Sequence, residues 1–250
     1  MNDRATEIEA APIRHLAETG STNEDALETG RAGFAGTLWI RAGRQISGRG
    51  RQGREWTSPL GNLYCSLLLP VAAKPALLPQ ISHVAAVALA DAIRQVAGDL
   101  PWLRIKWPND LLVDGAKVAG ILVEGTRDPA GRQICVVGCG VNCATHPEGL
   151  PYRATSLTAA AACPVDPDAL FDALRSTMGD AIATWDDGRG YAAIRARWLA
   201  RALPLDTPLV VRGSHEPLSG RFQGIDDKGR LLLLGPHGPV TVEAGEVTLN

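Results

Sequence analysis

The sequence predicts a domain that mixes strands with helices, followed by a small all-β module. Three observations carry this. Of the 250 residues, 45% are hydrophobic, enough to bury a real core. Apolar runs of strand length alternate with longer helical stretches as far as Ala202. After a change of composition at Leu203-Pro204, only short strands and turns are left.

The elements follow in order. A loose start leads to Ser21-Thr22-Asn23-Glu24-Asp25, which reads as a helix start with Ser21 to Asn23 as caps. The alternative is that these three polar side chains face a ligand. Thr37 to Arg41 is a short strand, and an Arg/Gly loop follows it. Asn62 to Leu69 is a second strand, apolar enough to be central. Pro79 to Val96 is a helix rich in Ala, Val and Ile, stopped by Gly98. Leu103 to Trp107 is a strand ending in a Pro-Asn-Asp turn. Leu111 to Val113 and Val118 to Val123 flank Asp114-Gly115, a strong hairpin signal. Ile134 to Val137 leads into Gly138-Cys139-Gly140-Val141-Asn142. Asp166-Pro167-Asp168 supplies an N-cap and a Pro at the first helical position of a helix to Trp185. Another helix covers about Tyr191 to Ala202. The tail gives strands at Leu209 to Arg212, Gly220 to Ile225, Arg230 to Leu234 and Val240 to Leu249, with a turn at Asp227-Lys228-Gly229. At fewer than about fifty residues it is too small for a robust core and is expected to pack on the main domain.

Net charge is −2, so no global field recruits nucleic acid or anionic membrane. Between Arg41 and Arg54, however, lie five arginines and no acid. That local patch suits a small anionic ligand better than a long polyanion. Met1 to Ala11 is acidic and lacks the apolar run of a signal peptide. The longest apolar stretch, His83 to Ala97, is broken by Asp91, Arg94 and Gln95, so no span of a bilayer is expected. Five cysteines form no disulfide framework, and the cytoplasm is the expected compartment.

Two segments concentrate the chemistry. In Gly48-Arg49-Gly50-Arg51-Gln52-Gly53-Arg54-Glu55-Trp56, glycines let backbone N–H groups approach oxygen closely, and arginines offer forked contacts to phosphate. Trp56 either stacks on a base or packs in the core. The bland readings are a solvated loop or an Arg/Gly RNA-binding tract; the segment matches neither a Walker A nor a Rossmann fingerprint. In Lys106-Trp107-Pro108-Asn109-Asp110, the lysine ends an apolar strand. It is either a charge snorkelling to water or a catalytic cation. Asn142 either meets a phosphate or caps a turn. Cys135, Cys139 and Cys143 recur every four residues, but that step spans about 13 Å on extended chain. Zinc ligands lie about 2.3 Å from one point, so a metal reading fails. No Gly-x-Ser-x-Gly elbow supports a Ser/His/Asp triad.

Taken together, these residues resemble the biotin–protein ligases, of the monofunctional type without an N-terminal DNA-binding domain. The match runs from Ser21 to the C-terminus. It includes Ser21-Thr22-Asn23, Gln45, the Gly48 to Trp56 loop, Ser58-Pro59, Asn62-Leu63-Tyr64, Lys106 to Asp110, Lys117 to Glu124 and Gly138 to Asn142. In the tail it includes Gly224-Ile225-Asp226 and Gly245-Glu246-Val247. The resemblance implies an α+β fold. A mixed-sheet catalytic domain of the class II aminoacyl-tRNA synthetase and biotin–lipoate ligase type would span 1–203. An SH3-like barrel would span 204–250.

It further implies a reaction in two steps. ATP and biotin, with Mg²⁺, give biotinyl-5′-AMP and pyrophosphate. A lysine of a biotin carboxyl-carrier domain then takes the biotin and releases AMP. By similarity, Lys106 and Arg51 hold the carboxyl and α-phosphate oxygens as the catalytic pair. Ser21, Thr22, Asn23, Gln45, Arg49, Gly50, Arg51, Lys106 and Gly120 meet biotin. Arg49, Arg51, Arg54, Trp56, Lys106, Lys117 and Asn142 meet ATP or the adenylate. About twenty residues precede Ser21, too few for a helix-turn-helix, so DNA binding is not carried over. No membrane partner is expected, and a homodimer is left open. Cys139 departs from the aliphatic residue usual in the family, with no change of chemistry expected. A lipoate or octanoyl transferase of the same superfamily is the alternative enzyme. The Gly48 to Trp56 loop and the β tail argue against it. A non-catalytic Arg/Gly nucleic-acid module is the alternative of another class.

Overall fold

A computed structural model describes residues 3–100, 102–213 and 216–249. The chain begins with regular structure, where a loose lead-in is expected: α1 (Asp3–Glu9), then β1 (Ile13–Thr19). Ile8 is fully buried, and its carbonyl accepts the indole N–H of Trp39 at 3.0 Å. One buried isoleucine in an acidic stretch leaves no periodic signal, so the sequence does not announce this helix.

β1 runs parallel to β2 (Leu38–Gln45). Between them in sequence lies α2 (Thr22–Arg31), with Ser21 at its N-cap position but making no side-chain capping bond. β3 (Leu63–Pro70) is buried nearly throughout. α3 (Leu78–Ala97) ends at Gly98, whose φ of 74° stops it. β4 (Leu103–Lys106), β5 (Asp110–Val113), β6 (Ala116–Arg127) and β7 (Gln133–Val141) complete a seven-stranded sheet of order β1-β2-β3-β7-β6-β5-β4. The other neighbouring pairs are antiparallel, so the sheet is mixed. The β5–β6 turn is the hairpin its sequence predicts: Asp114 and Gly115 both have positive φ, 48° and 72°. Gly138 and Gly140 lie inside β7 rather than past its end, because the strand runs on to Val141.

α4 (Leu157–Ala161) has no counterpart in the sequence reading, since five residues show no helical period. α5 (Pro167–Trp185) starts as predicted, Asp166 accepting the N–H of Asp168 at 2.9 Å. α6 is Tyr191–Leu199. One sheet face buries Leu63, Leu67 and Val137 in the large core shared with α3 and α5. The other buries Ile40, Leu68 and Val136 with Ala26 and Leu27 of α2.

The tail forms an antiparallel sheet from β8 (Pro208–Arg212), β9 (Leu218–Ile225), β10 (Leu231–Gly235), β11 (Gly238–Val242) and β12 (Glu246–Leu249), ordered β11-β10-β9-β8-β12. Val240 to Leu249, expected as one strand, is two. Its apolar alternation slips phase at Gly245, and there the chain leaves β10 to pair with β8. Leu209, Phe222, Ile225 and Val247 join the same buried cluster as the main sheet. Trp107 Nε1 donates to Gly229 O at 3.0 Å, and Arg195 Nη2 to Ile225 O at 2.6 Å. No helix among the described residues is long and apolar enough to cross a membrane.

Candidate active site

The face of β3, β6 and β7 towards α2 opens into a cleft of about 550 Å³. One end is polar, with Asn23 Nδ2 donating to Glu124 Oε2 at 2.8 Å at its rim. Gln45 Oε1 accepts from Thr22 N at 2.9 Å and Thr22 Oγ1 at 3.1 Å, while Gln45 Nε2 donates to Ser58 Oγ at 3.0 Å. Ser66 Oγ lies 2.6 Å from Asn23 Oδ1 and 2.8 Å from Thr22 Oγ1. Gly138 makes room for this network, since a Cβ there would stand 2.1 Å from Asn23 Oδ1. Hydroxyl and amide dipoles held this firmly can read a neutral polar head group without reorganising.

The other end is cationic. The Arg/Gly loop is tied back on itself by Gly50 N to Arg54 O at 2.7 Å and Trp56 N to Gly48 O at 2.8 Å. Its Arg49 reaches back to the polar end, pairing with Glu24 at 2.8 Å and with Glu124 at 3.3 Å, the carboxylate that also accepts from Asn23 Nδ2. Arg51 Nη1 donates to Gly245 O at 3.3 Å, and Arg54 pairs with Glu246. Burial pushes the Arg51 guanidinium down from its ordinary value, against the pull of Asp110 and Glu246. Arg54 holds the Glu246 carboxyl below the usual carboxylate range. Trp56 lies on a floor made by Gly120 and Gly140, which face each other across β6 and β7. A Cβ on Gly140 would stand 2.5 Å from Trp56 Nε1, an atom that is buried without a partner.

Among the cations sits Asp110. Its two oxygens meet Lys106 Nζ at 2.9 Å and Lys117 Nζ at 2.6 Å. Burial alone would raise this carboxyl, but the two ammonium groups outweigh it and hold it below its ordinary value. Lys106 also donates to Val247 O at 2.6 Å. Two lysines from strands separated by a hairpin thus converge on one point, delivered by β4 and β6 with β5 between them.

The sequence and the fold have known counterparts. Residues 21–142 match the model of the biotin/lipoate A/B protein ligase family, and 210–249 that of the biotin protein ligase C-terminal domain. A biotin–[acetyl-CoA-carboxylase] ligase of Paracoccus denitrificans is 42% identical over 240 residues, covering 93% of this chain and 98% of the relative. The chain belongs to the biotin–protein ligase family. A bifunctional ligase/repressor of Bacillus subtilis is 32% identical over 98% of the chain and 76% of its own length. The biotin protein ligase of Aquifex aeolicus, solved with biotin and ATP, superposes with a TM-score of 0.81 at 25% identity, covering 96% of this chain and 98% of that one.

Of the residues singled out in the sequence, the cleft gathers Ser21, Thr22, Asn23, Gln45, Arg49, Gly50, Arg51, Arg54, Trp56, Lys106, Lys117 and Gly120. Asn142 lies apart from it. Its amide donates to Thr155 O at 3.1 Å, and it borders only a small side cavity behind Trp56. Three further cleft residues were not singled out for the site in the sequence: Asp110 is a buried polar group, Tyr152 sits on a loop, and Glu246 comes from the far sheet. Asp110 and Glu246 appeared only as members of the quoted motifs. Ser66, fully buried behind the polar end, was not singled out either.

Proposed function

We propose that the protein is an ATP-dependent biotin–protein ligase, with residues 1–203 as the catalytic domain and 204–250 as a C-terminal domain that closes the cationic end. The observation that carries this is the change along one cleft, from the hydrogen-bonding side chains of Thr22, Asn23 and Gln45 to the cations Arg51, Arg54, Lys106 and Lys117. A ureido ring fits the first, and a phosphate chain the second. Joining a carboxylate to an α-phosphate brings two anions together, and Lys106, Lys117 and Arg51 stand where that repulsion must be cancelled. The carboxylate oxygen attacks the α-phosphorus as the bond to pyrophosphate breaks. The carrier lysine nitrogen then attacks the acyl carbon, and AMP departs. The acceptor is the lysine of a biotin carboxyl-carrier domain, and the reaction belongs in the cytoplasm.

Mg²⁺ enters as MgATP. Of the cleft carboxylates Glu55, Asp110 and Glu246, the last two are held by cations, and the described residues contain no cluster of three His, Cys, Asp or Glu suited to an ion. The phosphates therefore supply the ion's main ligands, as is common for magnesium. Against a lipoyl or octanoyl substrate stands the polar end itself: a linear acyl chain would set the polar groups of Thr22, Asn23 and Gln45 against apolar carbon. The test is exchange of labelled pyrophosphate into ATP. Exchange that needs biotin supports the reading; exchange driven by octanoate or lipoate instead, or none at all, sinks it.

A further inference from the structure

Ser66 is fully buried on β3, behind the polar end of the cleft, and the donors and acceptors around it fix where each proton goes. The chain of bonds starts at Glu124 on β6, a carboxylate, which only accepts. Leu122 O only accepts too. Asn23 therefore turns Nδ2 towards both, at 2.8 and 3.3 Å, and turns Oδ1 away from them. That oxygen stands 2.6 Å from Ser66 Oγ, so Ser66 commits its single proton there. Thr22 Oγ1 lies 2.8 Å from the same Ser66 oxygen. Thr22 must supply the proton between them, or two sets of lone pairs would face each other in a buried place.

Thr22 has a second acceptor within reach, Gln45 Oε1 at 3.1 Å. Gln45 is oriented by other groups: Oε1 takes the backbone N–H of Thr22 at 2.9 Å, and Nε2 donates to Ser58 Oγ at 3.0 Å. With the hydroxyl proton committed to Ser66, Thr22 Oγ1 and Gln45 Oε1 both present lone pairs on the cleft wall, 3.1 Å apart. Two acceptors this close form a cradle for one N–H. Resting on the ligase reading, we propose that Ser66 is a positioning residue. With Asn23 and Glu124 behind it, it holds the Thr22 hydroxyl as an acceptor. The polar end then takes a ring N–H of biotin and refuses a ring oxygen in its place. Ser66 acts only through Thr22.

The ureido ring of biotin carries two N–H groups, and two cyclic carbamates each replace one of them by oxygen. Calorimetric titration of these three ligands into the full chain reads the pattern without requiring turnover. The wild type is expected to bind one carbamate about a hundredfold more weakly than biotin, because its ring oxygen meets only lone pairs. Ser66→Ala frees Thr22 to turn its proton towards that oxygen. In this variant the ratio is expected to fall to about tenfold or less, while biotin itself binds about tenfold more weakly. The ratio for the other carbamate should not change, and ATP should bind as it does to the wild type. A wild type that binds both carbamates as well as biotin would overturn the proposal, whether or not the variant folds. So would a Ser66→Ala chain that keeps the wild-type ratio, or one in which both ratios collapse alike. In each of these cases biotin binds and the ligase reading stands. A wild type that binds no biotin removes that reading, and the proposal with it.

Discussion

Asp110 shows how a single carboxylate can organise a cationic site. Unscreened, Lys106 and Lys117 would repel each other; with Asp110 between them they are held within reach of one ligand. Removing one cation from such an array usually costs about 10²–10³ in rate. Lys106→Ala is therefore expected to cripple pyrophosphate release while leaving the melting temperature nearly unchanged, because Asp110 keeps Lys117. Near-wild-type release in a stopped assay would refute the role. Lys106 was legible in sequence because it carries a charge at the end of an apolar strand, whereas Lys117 was named only through the family resemblance. Ser66 and Asp110 were not legible, because a short polar side chain in a strand reads equally as a solvated face. Asn142 shows how environment adds to identity: its amide donates to Thr155 O, a contact its residue type alone does not disclose.

At the scale of elements, periodicity located most strands and helices, and it failed where the signal is short or shifted. α1 and α4 are too brief for a period, and the slip at Gly245 separates two strands that read as one. The Arg/Gly loop was recognisable as a loop, but its attachments were not. Arg49 fastens it to α2 and β6, Arg54 to β12, and few apolar groups help. Ordering backbone costs about 1–2 kcal/mol per residue, so a segment held mainly by ion pairs and its own turns should gain order from a ligand. Gly43 to Gln45 belong to β2 and are already held by its ladder, so it is residues from about Gly48 to Arg54 that are expected to exchange amide hydrogens more slowly with saturating biotin and ATP. Closure of the loop keeps water from the acyl-phosphate until the acceptor arrives. Arg51→Ala should accordingly leak adenylate and acylate stray lysines. Equal exchange with and without ligands would dismiss the lid.

The whole molecule turns on the junction between its two sheets, where the far strand β12 supplies oxygens to Arg54 and Lys106, and Gly245 just before it one to Arg51. That junction is built over a buried histidine. His83 Nδ1 lies 2.8 Å from Tyr191 OH beside the Gly229 turn, and burial lowers its pKa to about 4. In the unfolded chain it titrates near its ordinary value of about 6.5. Between these values the unfolded state binds the extra proton, so stability should fall by up to about 3 kcal/mol as pH drops from 6.5 towards 4 and stay level above 6.5. Denaturant midpoints at pH 7 and 4.5 check the direction, and His83→Gln should flatten the slope; an unchanged slope in that variant would remove His83 as its source.

The docking can be loosened without touching the cleft. Arg195 Nε and Nη2 donate to Ile225 O at 2.9 and 2.6 Å, and Nε to Asp226 O at 3.0 Å, clamping the β9–β10 turn onto α6. Charged hydrogen bonds of this kind contribute about 1.5–3 kcal/mol. Because Lys106, Arg51 and Arg54 all lean on β12, a tail free to shift should disturb the phosphate end and leave the Thr22–Gln45 end alone. Arg195→Ala is therefore expected to raise the KM for ATP severalfold with the KM for biotin unchanged. A chain ending at Leu203, which loses β12 entirely, should fail to biotinylate a carrier domain. Full carrier biotinylation by that shortened chain, or an Arg195→Ala variant with both KM values unchanged, would show that the tail is not part of the working site.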